Sequence, residues 1–218
     1  MVVNIGVLAL QGDVSEHIRA FERALSVLGE DRGSVIPVRR RDQIPDFDAI
    51  AIPGGESTTI SRLIDRNRMR EPLIDFDGGI FATCAGMVLV GSEVDDPGLQ
   101  PLGIIDMKVR RNAFGRQRDS FEAELRIEGL VAPFRGIFIR APVATECGQL
   151  ARCLCRIPEG AVAVAQGPHM ALSFHPELGR DPGVHLLFLG GLGMGESRFS
   201  QGTGQLICET SAAHKKRP

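Results

Sequence analysis

Gly78-Gly79-Ile80-Phe81-Ala82-Thr83-Cys84-Ala85-Gly86-Met87 is the stretch on which the reading of this chain turns. A short apolar run ends in small residues, a thiol stands at the break, and more small residues open a helix-forming segment. This is the pattern of a strand that bends sharply into a helix and presents a nucleophile at the elbow. Ala82 and Gly86 leave room for the backbone to double back, and a helix start sets N–H dipoles beside the sulfur, which favours a thiolate. Further along, Phe174-His175-Pro176-Glu177 offers a base and a carboxylate. The proline biases His175 toward extended backbone, where residues i and i+2 project to the same side. His175 and Glu177 are therefore predicted to point together, Glu177 accepting the Nδ1 proton and Nε2 facing Cys84. His-Pro-Glu alone would read as a strand-ending turn with a surface carboxylate. With the elbow it predicts a cysteine hydrolase.

Outward from the elbow, short apolar runs alternate with helical patterns, which predicts an α/β sheet with helices on its faces. Residues 2–10 read as a buried first strand rather than a signal peptide. Asp13 and Glu16 look like a capping box, followed by a helical stripe of Ile18, Phe21, Leu25 and Leu28. Residues 34–38, 49–52 and 80–83 read as strands. Pro53-Gly54-Gly55-Glu56-Ser57 is a strand-to-helix turn whose glycines allow close backbone approach to a ligand. From Gly103 onward, strand-like runs at 104–109, 121–127, 136–140, 150–157, 161–166 and 171–174 predict an antiparallel section, before a closing helix from 184. The division predicted is one domain over 1–189 and a Gly-rich, weakly ordered tail over 190–218.

The 218 residues suffice for one well-buried core. A net charge of −2 gives no electrostatic reason for a nucleic-acid or anionic-membrane partner, and no apolar run is long enough to span a bilayer. Five cysteines, an odd number without framework spacing, fit a reducing cytoplasm. Cys153 and Cys155 read as buried structural thiols, alternation placing them on one face with Ala151 and Ile157. Cys147 reads as a loop residue and Cys208 as part of the tail. His17 falls within the first helix, His169 at a Gly-Pro turn, His185 near the last helix and His214 in the tail, and none is assigned chemistry. The Gly54 or Gly55 N–H, with that of Ala85, would form an oxyanion hole beside Cys84. The basic loop Arg110-Arg111-Asn112-Ala113-Phe114-Gly115-Arg116-Gln117-Arg118 could hold the carboxylate of a small acidic substrate. Arg39-Arg40-Arg41 reads as a solvated run.

Taken together, these motifs resemble the class I, triad-type glutamine amidotransferases. The narrower resemblance is to the glutaminase subunits of pyridoxal 5′-phosphate synthase, the PdxT/SNO family. It rests on Gly6-Val7-Leu8-Ala9-Leu10-Gln11-Gly12, Pro53 through Thr59, Thr83 through Met87, Arg111 through Gln117, Phe138-Ile139-Arg140-Ala141-Pro142 and Ser173 through Leu178, in family order up to about Leu189. The resemblance implies a three-layer, flavodoxin-like mixed sheet with helices on both faces. It implies a Cys84, His175 and Glu177 triad and glutamine contacts at Gly54, Gly55, Glu56, Arg111, Ile139 and Arg140. It also implies no metal or cofactor, and ammonia channelled to a (β/α)₈-barrel synthase partner. Two departures stand out: Ala82 replaces the family's usual glycine, and the Gly-rich tail replaces its closing helix. The rival readings are a glutaminase serving another synthase and a non-catalytic glutamine-binding regulator.

Overall fold

In the computed structural model, which describes residues 2–29, 33–115 and 120–193, strand and helix alternate through the first half of the chain. β1 (Val3–Leu8), α1 (Val14–Leu28), β2 (Gly33–Val38), β3 (Ala49–Ile52), α2 (Ser57–Arg66), α3 (Arg70–Ile74), β4 (Gly79–Thr83) and α4 (Ala85–Val90) follow in order. The second half is strand-rich: β5 (Gly91–Val94), β6 (Ile105–Arg110), β7 (Ser120–Leu125), β8 (Phe134–Ile139), β9 (Val143–Cys147), β10 (Arg152–Ile157), β11 (Gly160–Gln166) and β12 (His169–Leu172). A 3-10 turn at Pro176–Leu178 and α5 (Gly183–Gly191) close the described chain.

Among the described residues, ten strands form one mixed sheet in the order β2-β1-β3-β4-β12-β11-β9-β6-β5, with β10 added alongside β11. β2, β1, β3, β4 and β12 run parallel. β11 pairs antiparallel with β12, β9 and β10. The chain steps from β1 outward to β2 and then back to β3 on β1's other side. In open α/β sheets the crevice at such a reversal, beyond the carboxyl ends of the strands, is where ligands bind.

Both faces of the sheet are covered, and β3 shows why. All four of its residues are fully buried; Ala49 and Ala51 join one apolar cluster while Ile50 and Ile52 join the other. A run without polar alternation is the mark of a strand buried on both sides. α1, α5 and the β7–β8 ribbon cover the first face; α2, α3 and α4 cover the second. On the first face Phe81 of β4 meets Phe21 of α1 at 5.2 Å and Phe188 of α5 at 5.1 Å between ring centroids. Each such ring contributes about 1.5–3 kcal/mol by its burial. These layers confirm the three-layer mixed sheet that the family resemblance implies.

Several local expectations are corrected. Asp13 precedes α1 but makes no side-chain cap, and Glu16 bonds Ser15 and Arg19 instead. The fully buried line of α1 is His17, Ala20, Phe21, Ala24 and Leu25, with Ile18 and Leu28 only at its margin. A register shift between Cys153 and Cys155 breaks the alternation of β10, so Leu154 and Cys155 are both buried and Cys153 is half-buried. Cys147 ends β9 instead of lying in a loop, and His169 opens β12. α5 continues to Gly191, two residues beyond the boundary read at 189. Cys208, His214 and the tail from 194 to 218 lie outside the described residues, as do Arg116, Gln117 and Arg118.

Candidate active site

The carboxyl ends of β1, β3, β4 and β12, adjacent in the sheet, deliver the segments that meet here. β4 ends at Thr83, and Cys84 follows with φ 48° and ψ −104° before α4 begins. A left-handed φ is strained for a residue with a Cβ, and such strain gathers at functional sites. The elbow is held by Cys84 N–H donating to Leu172 O at 2.8 Å and Val88 N–H donating to Cys84 O at 3.3 Å. Gly86 is required by space: a Cβ there would lie 2.2 Å from Ile52 O. It also makes room for Ala82, whose Cβ would stand 3.3 Å from that added Cβ. Ala82 thus packs beside a turn that carries no Cβ.

β12 leads to His175, whose backbone N–H donates to Ile137 O of β8. His175 Nδ1 lies 2.6 Å from Glu177 Oε1, both side chains being almost fully buried. The pair forms across the 3-10 turn at Pro176–Leu178, not along extended chain as the proline suggests. Proline at the first position of that turn curls the backbone and brings Glu177 back under the ring. His175 also interacts with Cys84, and the Cys84 thiol faces Ile139 O at 3.7 Å. Burial alone would lower the His175 pKa. The hydrogen bonds and negative charge of Cys84 and Glu177 outweigh it and push the imidazole up to about 10. Burial alone would raise the Glu177 carboxyl, but the neighbouring histidines, His17 foremost and then the His175 hydrogen bond, hold it below its usual range.

The loop after β3 closes over this pair. Gly54 lies against the His175 ring, and the missing Cβ of Gly12 lets the two loops touch, since it would fall 1.8 Å from Gly54 O. Gln11 Oε1 accepts the Glu56 N–H at 3.0 Å. Glu56 caps α2, accepting from Thr58 N–H, Thr59 N–H and Thr59 Oγ1. Desolvation would raise its pKa; those donors bring it down to about 2. Arg111, from the loop after β6, pairs with Asp96 and reaches Glu56 at 3.5 Å. Arg110 turns elsewhere, to Glu159 O. Arg140, exposed and with φ 43°, follows Ile139 at the rim.

Cys84, His175, Glu177, Gly54, Gly55, Glu56, Arg111 and Ile139 therefore converge. The other described thiols do not. Cys147 and Cys153 interact with each other, which lowers Cys153 to about 6 and raises Cys147, with no elbow or histidine base beside them. Sequence reasoning missed Asp13 and His17. Asp13 Oδ2 stands 3.6 Å from His175 Nδ1, and its pKa is raised, chiefly by burial. His17 Nε2 lies 3.0 Å from Thr83 Oγ1 and 3.6 Å from Glu177 Oε1. Their i, i+4 spacing on one helix face was the available signal. Asp13, His175 and Glu177 bring one ligand atom each within 4.8 Å of one another, near enough to share a metal ion; the 2.6 Å His175–Glu177 contact already occupies two of those atoms.

A family model described as the SNO glutamine amidotransferase family matches residues 7–191. The pyridoxal 5′-phosphate synthase subunit PdxT of Methanosphaerula palustris is 63% identical over 194 residues, 89% of this chain and 100% of that protein. Its counterpart from Methanoculleus marisnigri is 59% identical over 88% of this chain and 99% of its own. A solved structure described as a glutamine amidotransferase superposes with a TM-score of 0.77 at 40% identity, covering 87% of this chain and 98% of that one. A Thermotoga maritima glutamine amidotransferase, at 10% identity and TM-score 0.57 over 89% and 95% of the two chains, shares the fold. With a family model spanning the sheet from β1 to α5 and relatives this similar over their whole length, the chain belongs to the SNO glutamine amidotransferase family.

Proposed function

We propose that this protein is the glutaminase subunit of a pyridoxal 5′-phosphate synthase, hydrolysing L-glutamine to L-glutamate and ammonia through a cysteine thioester. The observation that carries the reading is the continuous line from Cys84 at its strained elbow through His175 to Glu177. The relatives named as PdxT supply the synthase assignment.

In the proposed reaction Cys84 attacks the side-chain carbonyl carbon of glutamine, and charge develops on the carbonyl oxygen beside the amides of Ala85 and Gly54 or Gly55. Donors of this kind are each worth roughly 10²–10³ in rate. His175, held protonated by Glu177, gives its proton to the leaving nitrogen and ammonia departs. His175 then takes a proton from water, whose oxygen attacks the thioester carbon; glutamate leaves and the Cys84 sulfur recovers the pair of electrons. Glu56, Arg111, Ile139 and Arg140 surround the substrate, Arg111 being already oriented by Asp96 and Glu56. Ammonia would be protonated in bulk water, so the reading includes delivery to a (β/α)₈-barrel synthase partner. No described helix is long and apolar enough to cross a membrane, and a cytoplasmic location accords with a reactive thiol.

Glutamine-dependent ammonia release, measured with and without the synthase subunit, tests this. Substitution of Cys84 or His175 by Ala is expected to abolish it, while Glu177→Gln leaves a residue of activity, because triad members act as a unit. Full activity in Cys84→Ala would refute the assignment.

A further inference from the structure

His17 is fully buried on the core face of α1, yet it sits among polar groups belonging to two other elements. Its Nε2 faces Thr83 Oγ1 at 3.0 Å and Glu177 Oε1 at 3.6 Å, while its Nδ1 has no partner among the described residues. Thr83 is the last residue of β4, immediately before Cys84. Glu177 Oε1 meets His175 Nδ1 at 2.6 Å, while its buried Oε2 has no partner among the described residues. With 3% of its surface exposed, Glu177 has almost no solvent to hold it in place.

These contacts select one form of the ring. An ionised carboxylate is acceptor-only, so the nitrogen facing it must carry the hydrogen. The opposite tautomer would aim a lone pair at an anion and leave a buried N–H without an acceptor, the rarer and costlier orphan. Burial lowers the His17 pKa and keeps the ring neutral, despite the opposing pull of Glu177, Asp13 and Glu16; His175 adds to the lowering. The ring itself has little freedom, being packed edge-on to Phe81 at 6.2 Å.

We propose that His17 is a positioning residue for the Cys84–His175–Glu177 site, its neutral Nε2–H holding the Glu177 carboxylate against His175 and tying it through Thr83 to the strand that ends in the nucleophile. At 3.6 Å the link to Glu177 is a dipole-to-charge contact rather than a hydrogen bond; its effect is to make one orientation of an otherwise half-anchored carboxylate the favoured one. The two sequence-distant parts of the site are thereby referenced to a single rigid ring on α1.

The inference rests on the glutaminase reading, and its test separates the two. Steady-state glutaminase kinetics are measured for the wild-type protein with its synthase subunit, with Cys84→Ala as the blank, and for His17→Leu and His17→Gln. Glutamine can place its amide nitrogen near the position of Nε2; leucine cannot donate. His17→Leu is expected to lose kcat on the order of 10–100-fold with KM nearly unchanged, the scale seen when a residue that orients a functional group is removed. His17→Gln should recover most of that loss. Wild-type kcat in His17→Leu, or equal impairment of both variants at equal thermal stability, would overturn the role of His17 alone. No Cys84-dependent ammonia release from the wild type would overturn the glutaminase reading and this inference with it. Should His17→Leu fail to fold, imidazole ¹⁵N spectra of the wild-type protein decide, the His17 signals being identified by their loss in His17→Gln. A neutral Nε2–H tautomer supports the proposal; an Nδ1–H tautomer or a charged ring refutes it.

Discussion

Gly54 lies so close to His175 that a Cβ added to it would stand 2.4 Å from the imidazole Cε1. The ring is also held by Glu177 and Cys84, so the loop after β3 and the turn after β12 share one surface with no slack. The first prediction follows from that contact. Gly54→Ala should push the imidazole off its line to Cys84, and a misplacement near 1 Å costs roughly 10²-fold in rate. Because Gly54 has no left-handed φ to lose, the damage should appear in kcat/KM of glutamine hydrolysis with stability little changed. Wild-type turnover in Gly54→Ala would show that the ring has room to move.

Gly86 is the second point without slack. Its added Cβ would meet backbone, Ile52 O at 2.2 Å, and a strand buried on both faces cannot retreat. Gly86→Ala is expected to destabilise the fold by about 1–3 kcal/mol, the usual cost of overpacking, and to disturb the elbow with it. Urea denaturation with parallel activity measurement would check both; unchanged stability would mean that α4 can lift from β3.

The charge arrangement predicts a pH dependence of stability. His175 is raised to about 10 in the folded protein, from an ordinary value of 6.5. A raised pKa means that the folded state binds the proton more tightly, so this contribution is complete below about pH 6.5 and is lost as pH climbs toward 10. Glu177 works in the opposite direction: its lowered pKa stabilises above its ordinary 4.5 and is lost in acid. Thermal midpoints should therefore decline between pH 7 and 10, and Glu177→Gln should flatten that decline. An equally steep fall in Glu177→Gln would assign it to other groups.

Phe81 supplies the fourth test. It is fully buried and contacts Phe21, Phe188 and His185. Phe81→Ala should cost about 3–5 kcal/mol as a large-to-small core change, measured by chemical denaturation. A loss below 1 kcal/mol would show that α1 and α5 collapse into the space.

How far the sequence reaches can be seen residue by residue. The elbow at Cys84 was legible because small residues on both sides of a thiol record a local backbone requirement, and the structure keeps that requirement in the left-handed φ. His175 and Glu177 were legible as partners, although the reason was a 3-10 turn rather than extended chain. β5 and β9 were not read, being short and taking their place from pairing with β6 and β11 in a sheet assembled from distant segments. The alternation read into Cys153 and Cys155 failed because a bulge, set by the β11 partner, shifts the register between them.

His17 and Asp13 mark the boundary most clearly. In the sequence they are a histidine inside an amphipathic helix and an apparent cap, and both descriptions follow from local pattern. Their functional setting depends on how α1 is rotated on the sheet, and a shift of one residue from Ile18 to His17 in the buried line decides it. That rotation is set by Phe21 packing against Phe81 of β4 and Phe188 of α5, contacts between residues far apart in the chain. The sequence alone thus determined the thiol at its elbow, the histidine–glutamate pair and the α/β alternation, because each is written in neighbouring residues through backbone sterics and apolar period. Only the tertiary structure decided which polar groups surround that triad, because burial and side-chain distance are properties of the packed layers and of no single segment.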